Sequence, residues 1–253
     1  MPTGESEFNY VFWTTFQLLG NLSSFYSNML RGLPRGVHLA MEQFEETWDD
    51  LYEDGTLATF LNDPSKVDDF YSDCEEKIEE VHEKQKKDTK NTLDAVAIVY
   101  AHGILDECAY KYLEILSLAS PESFSNCIEK KQIPLIELKS KTYDQLYREK
   151  IAEYLENVVE KNSLMFKLDK IHEITKPTNT KMNRDINYER RKFDEFNTAR
   201  HNIVHGNDWR SYSIDFSKES LYWGLLNFYL AKLVSQKTGL KLSNEELSKV
   251  PLI

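Results

Sequence analysis

Apolar positions recur every three to four residues along most of this chain, and no period-two run extends beyond about four residues. From 8 to 30, Phe8, Val11, Phe12, Phe16, Leu19, Leu22, Phe25 and Met29 keep helical spacing, which predicts one amphipathic helix or two. Arg31-Gly-Leu-Pro-Arg-Gly36 predicts a break. Residues 37–62 read as an acidic amphipathic helix carrying Leu39, Phe44, Trp48, Leu51 and Leu57, with Gly55 as an interruption point. Asp63-Pro64-Ser65 is a turn and a helix start. From Val67 to about Leu118 the pattern is helical, charged from Asp73 to Lys90 and apolar from Leu93 onward. Ala97, Tyr100, Ile104, Cys108, Tyr112 and Ile115 form one stripe of that second half. Ser120-Pro121-Glu122 starts a shorter helix, and Ile133-Pro134 marks another break. Residues 143–174 predict a long helix or a broken pair, 175–187 a polar loop, and 188–205 a helix. That helix closes at His205-Gly206, where Gly206 suits a left-handed cap. Ser217 to Gly239 is the last strong helix. With no internal repeat, the pattern predicts an all-α, antiparallel helical bundle.

Composition narrows this picture. The 253 residues, 41% hydrophobic, suffice for one domain with extensions or two small ones. The net charge of −11 is unevenly spread: 17 acidic and 4 basic residues fall in 1–80, leaving 25 acidic and 27 basic in 81–253. We therefore divide the chain into an acidic helical N-terminal extension, 1–80, and a helical domain, 81–253. Basic runs occur at Lys84, Lys86, Lys87 and Lys90, and at Lys181, Arg184, Arg190, Arg191 and Lys192. They read as solvated helix faces, or, between Arg184 and Arg210, as charge facing phosphates. A globally basic coat for nucleic acid is excluded. The acidic stretch 42–80 reads as a solvated face, with a polyanion mimic covering the basic helix as the sharper reading. Three cysteines without a CxxC pair argue against a disulfide framework or a structural zinc site, and fit buried or free thiols of a reducing compartment. No uninterrupted apolar run of about 18 residues predicts a membrane span. No basic region precedes the apolar start, so no secretory signal is expected and a cytoplasmic location is.

Several chemistries are excluded by missing patterns: there is no phosphate-binding glycine loop, nucleophile elbow or HExxH helix. No cofactor is expected. His102 and Asp106 stand at i, i+4 beside Glu107 and Cys108, which brings a metal site to mind; two residues do not make one, and a partly buried His-Asp pair is the plainer reading.

The informative stretch runs Glu195-Phe-Asn-Thr-Ala-Arg-His-Asn-Ile-Val-His-Gly206. An Arg and a His separated by four residues, with His201 and Asn202 after the Arg, close a helix just before a glycine. This resembles the R-x4–6-H motif of the HEPN superfamily, with Arg200 at the family arginine and His205 at the family histidine. His201 takes the position where the family usually carries a polar residue, most often Asn. The upstream acidic pair Asp106-Glu107 and the amphipathic helix from Leu221 also look like that family's layout, over roughly residues 90–240. The resemblance implies a HEPN-type bundle and a stand-alone ribonuclease of the prokaryotic toxin-antitoxin or antiviral-defence type. It also implies a homodimer with a shared groove, and a neutralising or regulatory partner.

An ideal helix turns about 500° in five residues, so Arg200 and His205 stand about 140° apart. Either the helix unwinds near Val204 to Gly206, or two copies complete each half-site across a two-fold axis; the resemblance implies the second. A guanidinium forks onto phosphate oxygens and stays charged, so Arg200 would clamp the scissile phosphate. An imidazole can take the proton of an RNA 2′-OH or protonate the leaving 5′ oxygen, and His205 is the candidate. Together they predict metal-independent cleavage of RNA that spares DNA. His201 and Asn202 would support the site, with Asp106 and Glu107 orienting the Arg or forming an ion pair at the edge of the core. Trp209 and Tyr212 are candidates for base stacking, Arg210 for phosphate contact, and Phe193 and Phe196 for the core. A plainer reading pairs Arg200 with Asp194 or Glu195 and leaves His205 as a helix-terminal cation. It makes the chain a non-catalytic HEPN-like module that binds nucleotide, RNA or a partner protein.

Overall fold

The computed structural model describes residues 4–53, 55–56, 59, 64–128, 141–176, 180–205 and 216–243. Among them there is no strand, and six α-helices follow in chain order. These are α1 (Gly4–Glu53), α2 (Val67–Ala119), α3 (Tyr143–Tyr154), α4 (Leu164–Thr175), α5 (Thr180–His205) and α6 (Phe216–Thr238). The chain is thus an all-α helical bundle.

The apolar stripes decide how the helices meet. α2 is buried most fully from Ala97 to Leu116, with α1 and α6 covering it on one side and α4 and α5 on others. Its buried stripe is wider than the spacing predicted, taking in Ile98, Ala101, Leu105, Ala109, Leu113 and Leu116, while Tyr100 turns outward. Phe8, Val11, Phe12, Leu19 and Tyr26 of α1 enter the same core. Successive contacts run antiparallel: Phe8 meets Tyr112, Tyr26 meets Asp94, and Phe44 meets Tyr71. The far ends of α1 and α2 form an acidic arm, closed by Phe44, Trp48, Phe70 and Tyr71. The boundary expected at residue 80 falls inside α2, which runs through it without interruption, and the start of α1 is core rather than extension.

Three other expectations change. The break at 31–36 does not form: α1 continues with Pro34 inside it. An interior proline costs about 3 kcal/mol, but α1 is held on α2 on both sides of it, by Tyr26 and by Trp48. The polar loop 175–187 is shorter. Lys176, left-handed at φ 43°, ends α4 ahead of Pro177, and helix resumes at Thr180. Polar residues such as Lys181 and Arg184 are good helix formers even without an apolar stripe. Third, Ser120-Pro121-Glu122 begins a single 3-10 turn, Pro121–Phe124, in place of a longer helix. Residues 143–174 are the broken pair: a π turn at Leu155–Val159 follows α3, and Ser163 caps α4. Gly55 (φ 73°) closes α1 and Gly239 (φ 77°) closes α6, each in the left-handed region that glycine enters freely. Ile133-Pro134 lies outside the described residues.

Two buried polar groups tie the bundle together. Asn227 of α6 accepts from Tyr112 Oη at 3.0 Å and Cys108 Sγ at 3.4 Å, and donates to the Phe12 carbonyl at 3.2 Å. Burial pushes the Cys108 thiol up to about 12, so it behaves as a small core residue. Asp94, buried on α2, accepts from the Tyr26 hydroxyl, pairs with Lys90 Nζ at 2.8 Å and accepts the Phe216 N–H at 3.1 Å. It therefore places a carboxylate on the first amide of α6, where the helix dipole favours negative charge. Among the described residues no helix is long and apolar enough to cross a membrane.

Candidate functional site

Burial of three side chains sets the rotation of α5. Phe193, Phe196 and Ala199 face the core, and both phenyl rings lie 5.0 Å from the Trp223 ring of α6, between centroids. With that face fixed inward, helical geometry sends Arg200 to its flank and His201 and His205 outward. Arg200 is half-buried, Asn202 is half-buried, and both histidines are exposed. Their rings stand 4.8 Å apart between centroids, tilted by 50°. The helix stays regular through His205, so no unwinding within it turns His205 toward Arg200. A single chain holds the two groups on different faces.

Arg200 faces α2. There His102, buried, donates from Nε2 to Asn197 Oδ1 at 3.1 Å, and its ring lies 5.8 Å from that of Phe193. Burial lowers the His102 pKa below the ordinary imidazole value. The charges of Arg200 and Lys167 act in the same direction, and the Asn197 bond and the Asp106 charge oppose them. The folded protein therefore prefers neutral His102. For a base whose folded value is depressed, stability is complete above its unfolded value of about 6.5 and falls as pH drops below it, levelling off beneath the folded value. Thermal unfolding followed between about pH 7 and 5 is expected to show that decline, and His102→Gln to flatten it. An equal slope in the variant would remove His102 as its source.

The His102–Asp106 pair of the sequence reading does not form. His102 turns to α5, and Asp106 turns to α4, where its Oδ2 accepts from Lys167 Nζ at 2.7 Å. Asp106 Oδ1 is buried with no hydrogen-bond partner among the described residues. Asp106 thus forms an ion pair with Lys167, and Glu107 is exposed. Among the described residues no group of three or more His, Cys, Asp and Glu is gathered for a metal ion. Arg191 is exposed; Arg184 and Arg190 fall on α5, with side chains outside what the structure describes. Gly206, Trp209, Arg210 and Tyr212 lie outside the described residues.

Sequence reasoning missed Lys167, Asn197 and Asp94. Lys167 sits three residues after Leu164 and four before Ile171, on the apolar face of α4, and Asp94 precedes Ile98 and Ala101 in the same way. A charged residue on an apolar stripe is the signal that both carried. Beside the α5 terminus the surface is apolar: Val96, Val99 and Tyr100 of α2 and Ile203 of α5 line a shallow depression. Tyr100 is 65% exposed, and Val96 and Val204 are each 46% exposed.

No family model matches the chain, and neither a curated protein nor a solved structure matches it.

Proposed function

We propose that the chain is a metal-independent endoribonuclease of HEPN type, in which two copies pair across their α5 termini and Arg200 of one works with His205 of the other. One observation carries the reading: a regular helix end presents a half-buried guanidinium on one face and accessible imidazoles on another. Neither face alone holds both an anion clamp and a proton carrier, and a two-fold axis supplies each with the other's group. The exposed apolar surface of Val96, Tyr100 and Val204 beside them supports a second copy there. In this cleft Arg200 binds the scissile phosphate and offsets the charge that builds on it. His205 takes the 2′-OH proton, the 2′ oxygen attacks phosphorus, and the 5′ oxygen leaves after protonation by His201 beside it on the same helix face. The products carry a 2′,3′-cyclic phosphate and a 5′-hydroxyl. His201 and Asn202 flank the phosphate. A toxin or antiviral role, with a neutralising partner that covers α5, is the setting we assign to such an enzyme.

Incubation with a single-stranded RNA and with DNA of the same sequence, in EDTA, tests the reaction. RNA is expected to be cut to cyclic-phosphate ends and DNA to be spared. Cutting of both, or loss of RNA cleavage in EDTA, would overturn the mechanism. Binding of RNA without cleavage would favour the non-catalytic module.

A further inference from the structure

His201 and His205 stand one helical turn apart on the same outward face of α5, as residues i and i+4 do. Two imidazoles sharing one Zn²⁺, with Zn–N bonds of about 2.0–2.1 Å, bring their ring centres to roughly 5 Å. The pair already stands at 4.8 Å, the separation that sharing one ion requires. Imidazole suits zinc, copper and nickel among the available cations. The pair supplies two donors, whereas Zn²⁺ takes four in a tetrahedron, and among the described residues no third His, Cys, Asp or Glu is gathered beside it. A second copy related by a two-fold axis brings an identical pair to the same point.

We propose that His201 and His205 of two chains bind one Zn²⁺ ion between them, joining the two α5 ends. The ion exchanges its water ligands for four imidazole nitrogens, and no covalent or redox step is involved. Its effect on activity rests on the function proposed above: a zinc-bound His205 has no lone pair to accept the 2′-OH proton, so the ion is an inhibitor of RNA cleavage and not a cofactor. The binding itself needs only the histidine pair and the pairing of two chains at the α5 ends, not the nuclease chemistry.

Zinc chloride titrated into the full chain by calorimetry, with sedimentation velocity on the same samples, tests this. The expected result is half an equivalent of zinc per chain, with a dimer that survives dilution better than without zinc and reverts in EDTA. His201→Ala and His205→Ala are each expected to weaken zinc binding at least tenfold, while His82→Ala on α2 leaves it unchanged. Undiminished binding in either α5 variant, one ion per unpaired chain, or no binding at all would overturn the site. The two readings fail separately. Zinc at half an equivalent in a chain that does not cut RNA keeps this site and removes the nuclease; RNA cleavage by a chain that binds no zinc does the reverse.

Discussion

An equimolar mixture of Arg200→Ala and His205→Ala chains is expected to recover about a quarter of wild-type RNA cleavage, although each variant alone loses about a hundredfold to a thousandfold. The prediction follows from the rotation of α5. About 140° separates the two side chains on a regular helix, and α5 is regular through His205 with its inner face locked by Trp223. Arg200 and His205 of the same chain therefore leave α5 on different faces. In a mixed pair, one cleft has lost both groups and the other keeps both. Random assortment makes about half of all pairs mixed, each with one working cleft of two. The readout is the initial rate on a labelled RNA after subunit exchange, with helicity and sedimentation of each variant checked against wild type. Both residues are at least partly exposed, so the fold is expected to survive either change. Absence of recovery in verified mixed pairs would mean that each chain acts alone. Full activity in His205→Ala would remove the imidazole from the chemistry.

How far the sequence discloses this arrangement depends on what each feature needs. The helices from Val67 onward were legible because a stripe repeating every three to four residues is a local signal, and α2, the α3–α4 pair and α6 follow it closely. Pro34 and the polar start of α5 were misleading for the same reason. Local residues argued for a break and a loop, and helix propensity and packing at a distance decided otherwise. Within the site, Phe193 and Phe196 could be assigned to the core from spacing, and with them the divergence of Arg200 from His205. The partners of buried polar groups could not. His102 and Asp106 are neighbours on one helix face, yet their bonds go to α5 and α4 respectively. Which elements pack against which side of α2 decides that, and no spacing within α2 encodes it. The acidic arm was legible as charge but not as shape, since its pairing is long-range: Trp48 of α1 lies 4.8 Å from Tyr71 of α2, between ring centroids.

Asp106→Ala is expected to destabilise the fold by about 3–5 kcal/mol, whereas Lys167→Met changes it by less than about 1 kcal/mol. The asymmetry lies in exposure. The two side chains share one bond of 2.7 Å, but Lys167 is 3% accessible and Asp106 34%. Removing the carboxylate strands an ammonium ion in the interior, 5.9 Å from the Tyr110 ring centroid, with no counter-charge bonded to it. Removing the ammonium leaves a carboxylate on a side chain that is one-third accessible, although its Oδ1 is buried, and the Met stem refills the space between Leu164 and Ile171. The double variant should accordingly regain most of what Asp106→Ala loses. Urea unfolding followed by helical ellipticity reads all three from the midpoints at constant slope. Equal losses in the two single variants would show that the pair acts as a surface bridge, with both charges solvated once parted. The same series separates Asp106 from the chemistry at Arg200. If RNA cleavage by Asp106→Ala returns on adding Lys167→Met, then Asp106 serves the site only by keeping α4 in place against α2. If cleavage stays lost while stability returns, the carboxylate acts on the guanidinium directly.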